Sequence, residues 1–335
     1  MAERSTVALV GSDSLLGREI RDIAATAGAP FALRLIAGDQ EEAGTLTRIG
    51  DEPATVADLT ALNLSGLRAV LLAGTPEASR KTLELLDDEP DTTIIDLTSS
   101  AEDLPDSRLR APMVEEEEQP GEAHVHVIAH PAAIALALFL RRLHSRDPIA
   151  RSVIQIFAPA SEHGAKGVEE LQQQTVSLLS FKPLPKNVFD SQAGFNLLAQ
   201  YGQDAPVKLE DTELRIERHL ASLLSLVGDG EGVPMPSLRL VQAPVFHGYS
   251  FSAWVQFDGS PELDAIESSL ATANIEVRGA EFEPPNNVGQ AGQTGITVGA
   301  ITPDRNDAEA VWFWLVADNF RVAADNAVAV AREFA

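Results

Sequence analysis

The sequence predicts an α/β protein in two parts: an open α/β domain with a parallel sheet, then an α+β section, with a last helix that returns to the first part. Three observations predict it. From Thr6 to Ala129 short apolar runs alternate with helical patterns. After Pro131 the order of strands and helices loosens. Asn319–Phe334 carries alanine, valine and phenylalanine at helical spacing.

Each element has its own warrant. Thr6–Val10 is an unbroken apolar run, as a strand covered on both faces requires, and a helix follows over Leu15–Ala27. Then come strands Phe31–Ala37 and Ala69–Leu72, helix Glu77–Leu86, and strands Thr93–Asp96 and His124–Ala129, joined by small or polar turn residues. Such alternation builds a parallel sheet with helices on both faces. In the second section a helix over Ala132–Leu143 leads to strand Ser152–Phe157, helix Val168–Leu179 and a proline-bearing loop at Lys182–Asp190. A charged amphipathic helix spans Leu209–Leu226. Ser237–Pro244, Ser250–Phe257, Glu276–Ala280 and Gly295–Ala300 read as strands, and Val311–Val316 is apolar and aromatic. The imperfect alternation of Ser250–Phe257 suits a sheet with one face under helices.

Composition narrows the function classes. A chain of 335 residues, 44% hydrophobic and 22% charged, is long enough to bury two cores. No stretch approaches the roughly 20 apolar residues of a membrane span, and the N-terminus lacks a secretory signal pattern, so a cytoplasmic location is expected. Asp and Glu number 50 against 25 Lys and Arg, a formal charge of -25 that repels nucleic acid and anionic lipid. The acidic run Glu115–Glu118 is expected to be a solvated loop. With no cysteine there is no disulfide, no thiolate metal site and no thiol nucleophile.

The turn Gly11-Ser-Asp-Ser-Leu-Leu-Gly17 joins the first strand to the first helix. A glycine turn there can aim backbone N–H groups at a dinucleotide pyrophosphate, with Gly11, Ser14, Leu15 and Gly17 as the cradle. Ser14 stands where a middle glycine is expected, and the competing reading is a tightly packed turn that binds nothing. Asp39, after the second strand, can accept hydrogen bonds from a ribose and would repel a 2′-phosphate, which favours NAD over NADP; an ordinary surface acid is the alternative. Gly74, Thr75 and Ser99 complete the candidate cofactor-binding set.

The run Trp314–Val328 resembles the closing helix of aspartate-semialdehyde dehydrogenases. Further segments fall in that family's order: Ile94–Ala101, Val127–Pro131, Ser161–Leu171, Gln192–Asn196 and Ala243–Ser250. The resemblance covers essentially the whole chain. It implies a Rossmann-like nucleotide-binding domain over residues 1–131, completed by 317–335, and a homodimerising α+β domain over 132–316. It also implies NADP-dependent chemistry in which a cysteine thiolate attacks an acyl carbon and a histidine moves protons.

The residues that carry that chemistry are replaced. In His130-Pro-Ala-Ala-Ile-Ala135, Ala133 stands where the resemblance places the sulfur, and Tyr249 takes the acid/base position, with His247 two residues earlier. Gln242 replaces the arginine that would grip a substrate carboxylate, Ala158 the glutamine that would position the acyl group, and Glu162 a glycine of the pocket wall. A phosphate-binding arginine falls at Glu102 or Asp103, and Glu217-Arg218-His219 matches its family region only partly. The altered pocket is thus His130, Ala158, Glu162, His163, Glu217, Gln242 and His247.

Three other constellations compete. His124, His126 and His130 could hold zinc; the other reading is polar residues at a strand end, and no metal is assigned. Ser161, Glu162 and His163 are contiguous, which does not converge a hydrolase triad. Phe246, Phe251, Trp254, Phe257, Trp312 and Trp314 are expected in core or dimer packing. Two functions follow. One is a catalytically inactive homologue, a homodimer that acts by binding a nucleotide or another protein such as an active paralogue's subunit. The other is an oxidoreductase or other enzyme that reuses the pocket through His130, His163, Tyr249 and His247.

Overall fold

A computed structural model describes residues 5–26, 28–87, 89, 91–115, 123–226 and 232–334. The chain divides into two compact units, Met1–Ala129 with Ala323–Ala335, and His130–Val322.

In the first unit, β1 (Ser5–Val10), β2 (Phe31–Ile36), β5 (Ala69–Leu72), β6 (Thr93–Asp96), β7 (Ser107–Arg110) and β8 (Val125–Ile128) form a six-stranded sheet. Its order is β2-β1-β5-β6-β8-β7 and every pairing is parallel. This is the predicted Rossmann-like arrangement. Val7 to Val10 and Ala69 to Leu72 are buried residue after residue, so both faces of the sheet's centre are covered. The crossovers are α1 (Leu15–Thr26), which stops short of the predicted end because Ala27 lies outside the described residues, and α3 (Pro76–Leu85). Thr75 caps α3, accepting from the Ala78 N–H at 3.2 Å. An antiparallel hairpin, β3 (Leu46–Ile49) with β4 (Glu52–Thr55), and a short α2 (Ala61–Leu64) were not foreseen.

In the second unit, β9 (Ile149–Ala158), β10 (Ser237–Gln242), β11 (Tyr249–Phe257), β12 (Ile275–Val277), β13 (Ile296–Pro303) and β14 (Ala310–Ala317) make a mixed sheet of order β10-β9-β11-β14-β13-β12. Ile154, Ala253 and Phe313 align across it and are buried, and the Phe313 ring meets Phe139 of α4 (Pro131–His144) edge-on at 5.0 Å. The opposite face presents Val153, Trp254 and Trp312 in the same register, with Val153 and Trp312 48% and 42% exposed. The remaining helices are α5 (Gly164–Leu179), α6 (Leu209–Leu224), α7 (Leu263–Leu270) and α8 (Asn287–Gln290). The last, α9 (Asn319–Glu333), begins in the second unit and ends in the first.

The observed division differs slightly from the expected boundaries at 131/132 and 316/317. His130 falls in the second unit because its backbone N–H donates to His219 Nδ1 at 2.9 Å and its ring to Glu162 at 3.0 Å. Asn319 falls there because it bonds Ser161 and the Gly248 N–H. Glu115 also departs from expectation. It is not a solvated acid but a partner of the fully buried Arg110 at 2.9 Å; Glu116–Glu118 lie outside the described residues. Among the described residues no helix is long and apolar enough to cross a membrane.

Candidate functional site

The glycine turn of the first unit is built by close approach of three strand ends. Gly11 has φ +79°, and a Cβ there would lie 2.2 Å from the Gly74 Cα; a Cβ on Gly17 would lie 2.2 Å from the Gly11 carbonyl oxygen. The glycines therefore have a packing reason of their own. Ser14 is folded inward: its hydroxyl donates to the Ala73 carbonyl at 2.7 Å and accepts from the Gly17 N–H at 2.8 Å. Leu15 is the first residue of α1. Asp39 is exposed, and one oxygen of its carboxylate accepts the hydroxyl of Thr75, itself a candidate cofactor residue. Ser99 sits in the turn after β6 with φ 58°. Glu41, which sequence reasoning passed over, accepts the Asp13 N–H at 2.9 Å and the Gly38 N–H at 3.0 Å.

In the second unit two hydrogen-bonded chains gather most of the altered-pocket residues. Pro131 opens α4 with His130 as its cap: His130 Nδ1 accepts the Ala132 N–H at 3.2 Å, which leaves Nε2 to carry the proton that it donates to Glu162 at 3.0 Å. The other Glu162 oxygen accepts the Tyr249 hydroxyl at 2.6 Å. Ala133, in the first turn of α4, is fully buried. The second chain starts at His163, whose Nε2 bonds Tyr201 Oη at 2.9 Å; that hydroxyl donates to Gln242 Oε1 at 2.7 Å. The Gln242 amide in turn donates to the carbonyls of Ala158 and Ala243, at 3.0 and 2.9 Å, so both donor hydrogens of this buried side chain are taken up inside the protein.

The loops that hold these groups are zipped together. Ala160 and Ser161 donate their N–H groups to the carbonyls of Val245 and Phe246, and the Gly248 N–H donates to Asn319. Behind them, Glu170 of α5 accepts the N–H groups of Asn187, Val188 and Phe189, and Gln174 accepts those of Ala193 and Gly194. The irregular stretch between α5 and α6 is thereby fixed to one helix.

Electrostatics follow from burial. Burial alone would raise the Glu162 pKa, but the His130 ring, through its field and its N–H, and the Tyr249 hydroxyl outweigh it and hold the carboxyl below the usual carboxylate range. Tyr249 is pushed well above an ordinary phenol by burial and by the Glu162 charge. His163 is lowered by burial, so it stays neutral near pH 7. The two chains therefore hold an ionised carboxylate at Glu162, protonated phenols at Tyr249 and Tyr201, and a neutral imidazole at His163.

Two expected pocket members do not join these chains. His247 is exposed and packs its ring against Phe320 at 5.7 Å, and Glu217 is half-buried on α6; it is His219, two residues on, that reaches the His130 backbone. Tyr201 and Asn319 were missed by sequence reasoning, since nothing in their local patterns marks them, and His219 entered it only as part of the partly matching Glu217-Arg218-His219 run. Of the would-be zinc residues, His124 is exposed and His126 is buried against Phe334 at 4.9 Å; among the described residues no three His, Cys, Asp or Glu side chains converge on a metal position.

Comparison with known proteins places these features in a lineage. Residues 140–322 match the dimerisation domain of semialdehyde dehydrogenases. A USG-1 protein homolog of Pseudomonas aeruginosa is 30% identical over 340 residues, covering 98% of this chain and 97% of its own. An aspartate-semialdehyde dehydrogenase of Rickettsia bellii is 26% identical, covering 99% and 98%. Among solved structures, that of a probable aspartate-semialdehyde dehydrogenase from Pseudomonas aeruginosa superposes with a TM-score of 0.86 at 28% identity, covering 99% of this chain and 98% of its own.

Proposed function

The chain belongs to the semialdehyde dehydrogenase family, and from that premise we propose that it is a member without the family's thiol chemistry, one that self-associates and acts by binding protein. What carries the reading is that the pocket's polar groups are bonded to one another around a methyl group. Ala133 has no nucleophilic atom, and Gln242 spends both amide hydrogens on backbone carbonyls while its oxygen accepts from Tyr201. Glu162 is held by His130 and Tyr249. A general acid/base works best with a pKa near the operating pH; Glu162 and Tyr249 are shifted away from it in opposite directions, and burial keeps His163 from taking up a proton. Loss of the nucleophile removes the covalent route, and loss of its acid/base partner costs a further factor of about 10²–10⁴.

Self-association is supported by the sheet face that carries Val153, Trp254 and Trp312, in a domain whose matching family is described as a dimerisation domain. The indole N–H groups of Trp254 and Trp312 both donate to Asp304 Oδ2, at 2.9 and 2.8 Å, which fixes the two rings side by side. An apolar, preorganised face of this kind suits a second copy of the same sheet.

The test is a steady-state assay with aspartate semialdehyde, inorganic phosphate and either NAD or NADP. The expected result is no saturable reduction of the nucleotide. Turnover that disappears in Glu162→Gln or Tyr249→Phe would overturn the reading.

A further inference from the structure

The first unit poses a separate question: whether the glycine turn between β1 and α1 is open to a phosphate. Three observations bear on it. The first is that the turn does not need a ligand to explain it, since Gly11 and Gly17 make backbone contacts closer than any Cβ would allow and a Cβ on Gly74 would lie a tight 3.2 Å from the Gly11 Cα. The second is that an anion already sits at the turn. Glu41 reaches back from the loop after β2, and its two carboxylate oxygens take one N–H of the turn, that of Asp13 at 2.9 Å, and one of the neighbouring loop, that of Gly38 at 3.0 Å. A phosphate at the turn would compete with this carboxylate for the Asp13 donor.

The third observation is the charge around it. The nearest cations are committed, as Arg21 lies 3.3 Å from the Asp13 carboxylate and Arg18 3.8 Å, and Arg21 also donates to the Thr47 hydroxyl at 2.6 Å. Asp39 is held by Thr75 on the same rim. The rim thus carries the carboxylates of Asp39 and Glu41 with no uncommitted arginine from α1 to offset them for an incoming anion. Ser14 is not the obstacle, because its hydroxyl is turned into the fold between Ala73 and Gly17.

We propose that Glu41 is the resident anion of this turn: by holding the Asp13 N–H of the turn and the Gly38 N–H beside it, it keeps a dinucleotide from binding the first unit. The inference concerns binding alone and is independent of the second unit's chemistry, so either can fail without the other. NAD, NADH, NADP and NADPH, each at up to about 1 mM, are titrated by calorimetry into the wild-type protein, Glu41→Ala and the exposed neighbour variant Glu42→Ala, which changes the net charge equally. The wild type and Glu42→Ala are expected to show no saturable binding. Glu41→Ala is expected to bind at least one of the four at least tenfold more tightly, a change of about 1.4 kcal/mol. If circular dichroism shows that the alanine variant is not native, Glu41→Gln, which keeps one acceptor for the loop, carries the same expectation. Saturable binding by the wild type, or no gain over Glu42→Ala, overturns the proposal.

Discussion

Replacing His126 by phenylalanine should change how the protein's stability depends on pH. His126 is fully buried in β8, its ring against Phe334, and its pKa is lowered to about 4 by burial and by the nearby charges of Arg110 and Arg108, which outweigh the opposite pull of Glu333. The unfolded chain takes up the proton near pH 6.5 and the folded chain only near 4. The folded-state value is depressed, so the contribution is complete above pH 6.5 and is lost as the pH falls from there to about 4. A gap of about 2.5 pH units at about 1.4 kcal/mol each gives about 3.5 kcal/mol. His126→Phe keeps a ring against Phe334 and removes the titration. Urea unfolding of both proteins between pH 7.5 and 4.5 isolates the effect, because His163, also depressed, is common to both and cancels. The wild type should lose about 2–3 kcal/mol more than the variant across that range. Equal losses, or a His126 imidazole resonance that titrates near pH 6.5 in the native protein, would refute the argument.

Three other expectations follow from the same structure. Arg110→Met should destabilise the protein by about 3–5 kcal/mol in urea, because it leaves Glu115 and Glu333, 2.9 and 2.7 Å from the guanidinium, without the buried charge that neutralises them. Glu170→Ala strips the acceptor from three backbone N–H groups and should cost about 2–4 kcal/mol, with early protease cleavage in the 182–208 stretch as the local readout. Trp312→Asp, on the uncovered face of the mixed sheet, should shift the sedimentation coefficient to that of a monomer while leaving near-native circular dichroism; an unchanged assembly would remove this face as the site of association.

Much of the fold was legible because burial leaves a pattern. β1, β5, β6 and β8 are short apolar runs, and α1, α3, α4, α5, α6 and α9 announce themselves by helical spacing. What escaped lies where side chains do not face the core. β3 and β4 alternate exposed with half-buried residues and include Pro53, so no apolar period marks them. β7 reads Ser107-Arg-Leu-Arg110, polar in sequence, and its last residue is buried only because two carboxylates from elsewhere in the chain meet it. The site divides in the same way. Ala133, Glu162, Tyr249 and Gln242 could be singled out by departures from a family pattern. The bonds that immobilise them come from Tyr201 and His219, brought in by tertiary contacts that no local spacing encodes. Glu41 shows the converse: an unremarkable acid in an acidic loop becomes important only when two backbone N–H groups are found pointing at it.

The Arg110–Glu333 contact joins residues 223 positions apart within one compact unit. During translation the first sheet leaves the ribosome long before Glu333 is made, so the nascent unit spends that interval with a buried-to-be guanidinium only half neutralised and the Asn326 cap on the Met113 N–H still missing. At about 5–20 residues per second, those 223 positions take roughly 10–45 seconds to traverse. Because the closing segment Ala323–Ala335 follows the last residue of the intervening unit, the unit that is begun first is the one whose chain is completed last.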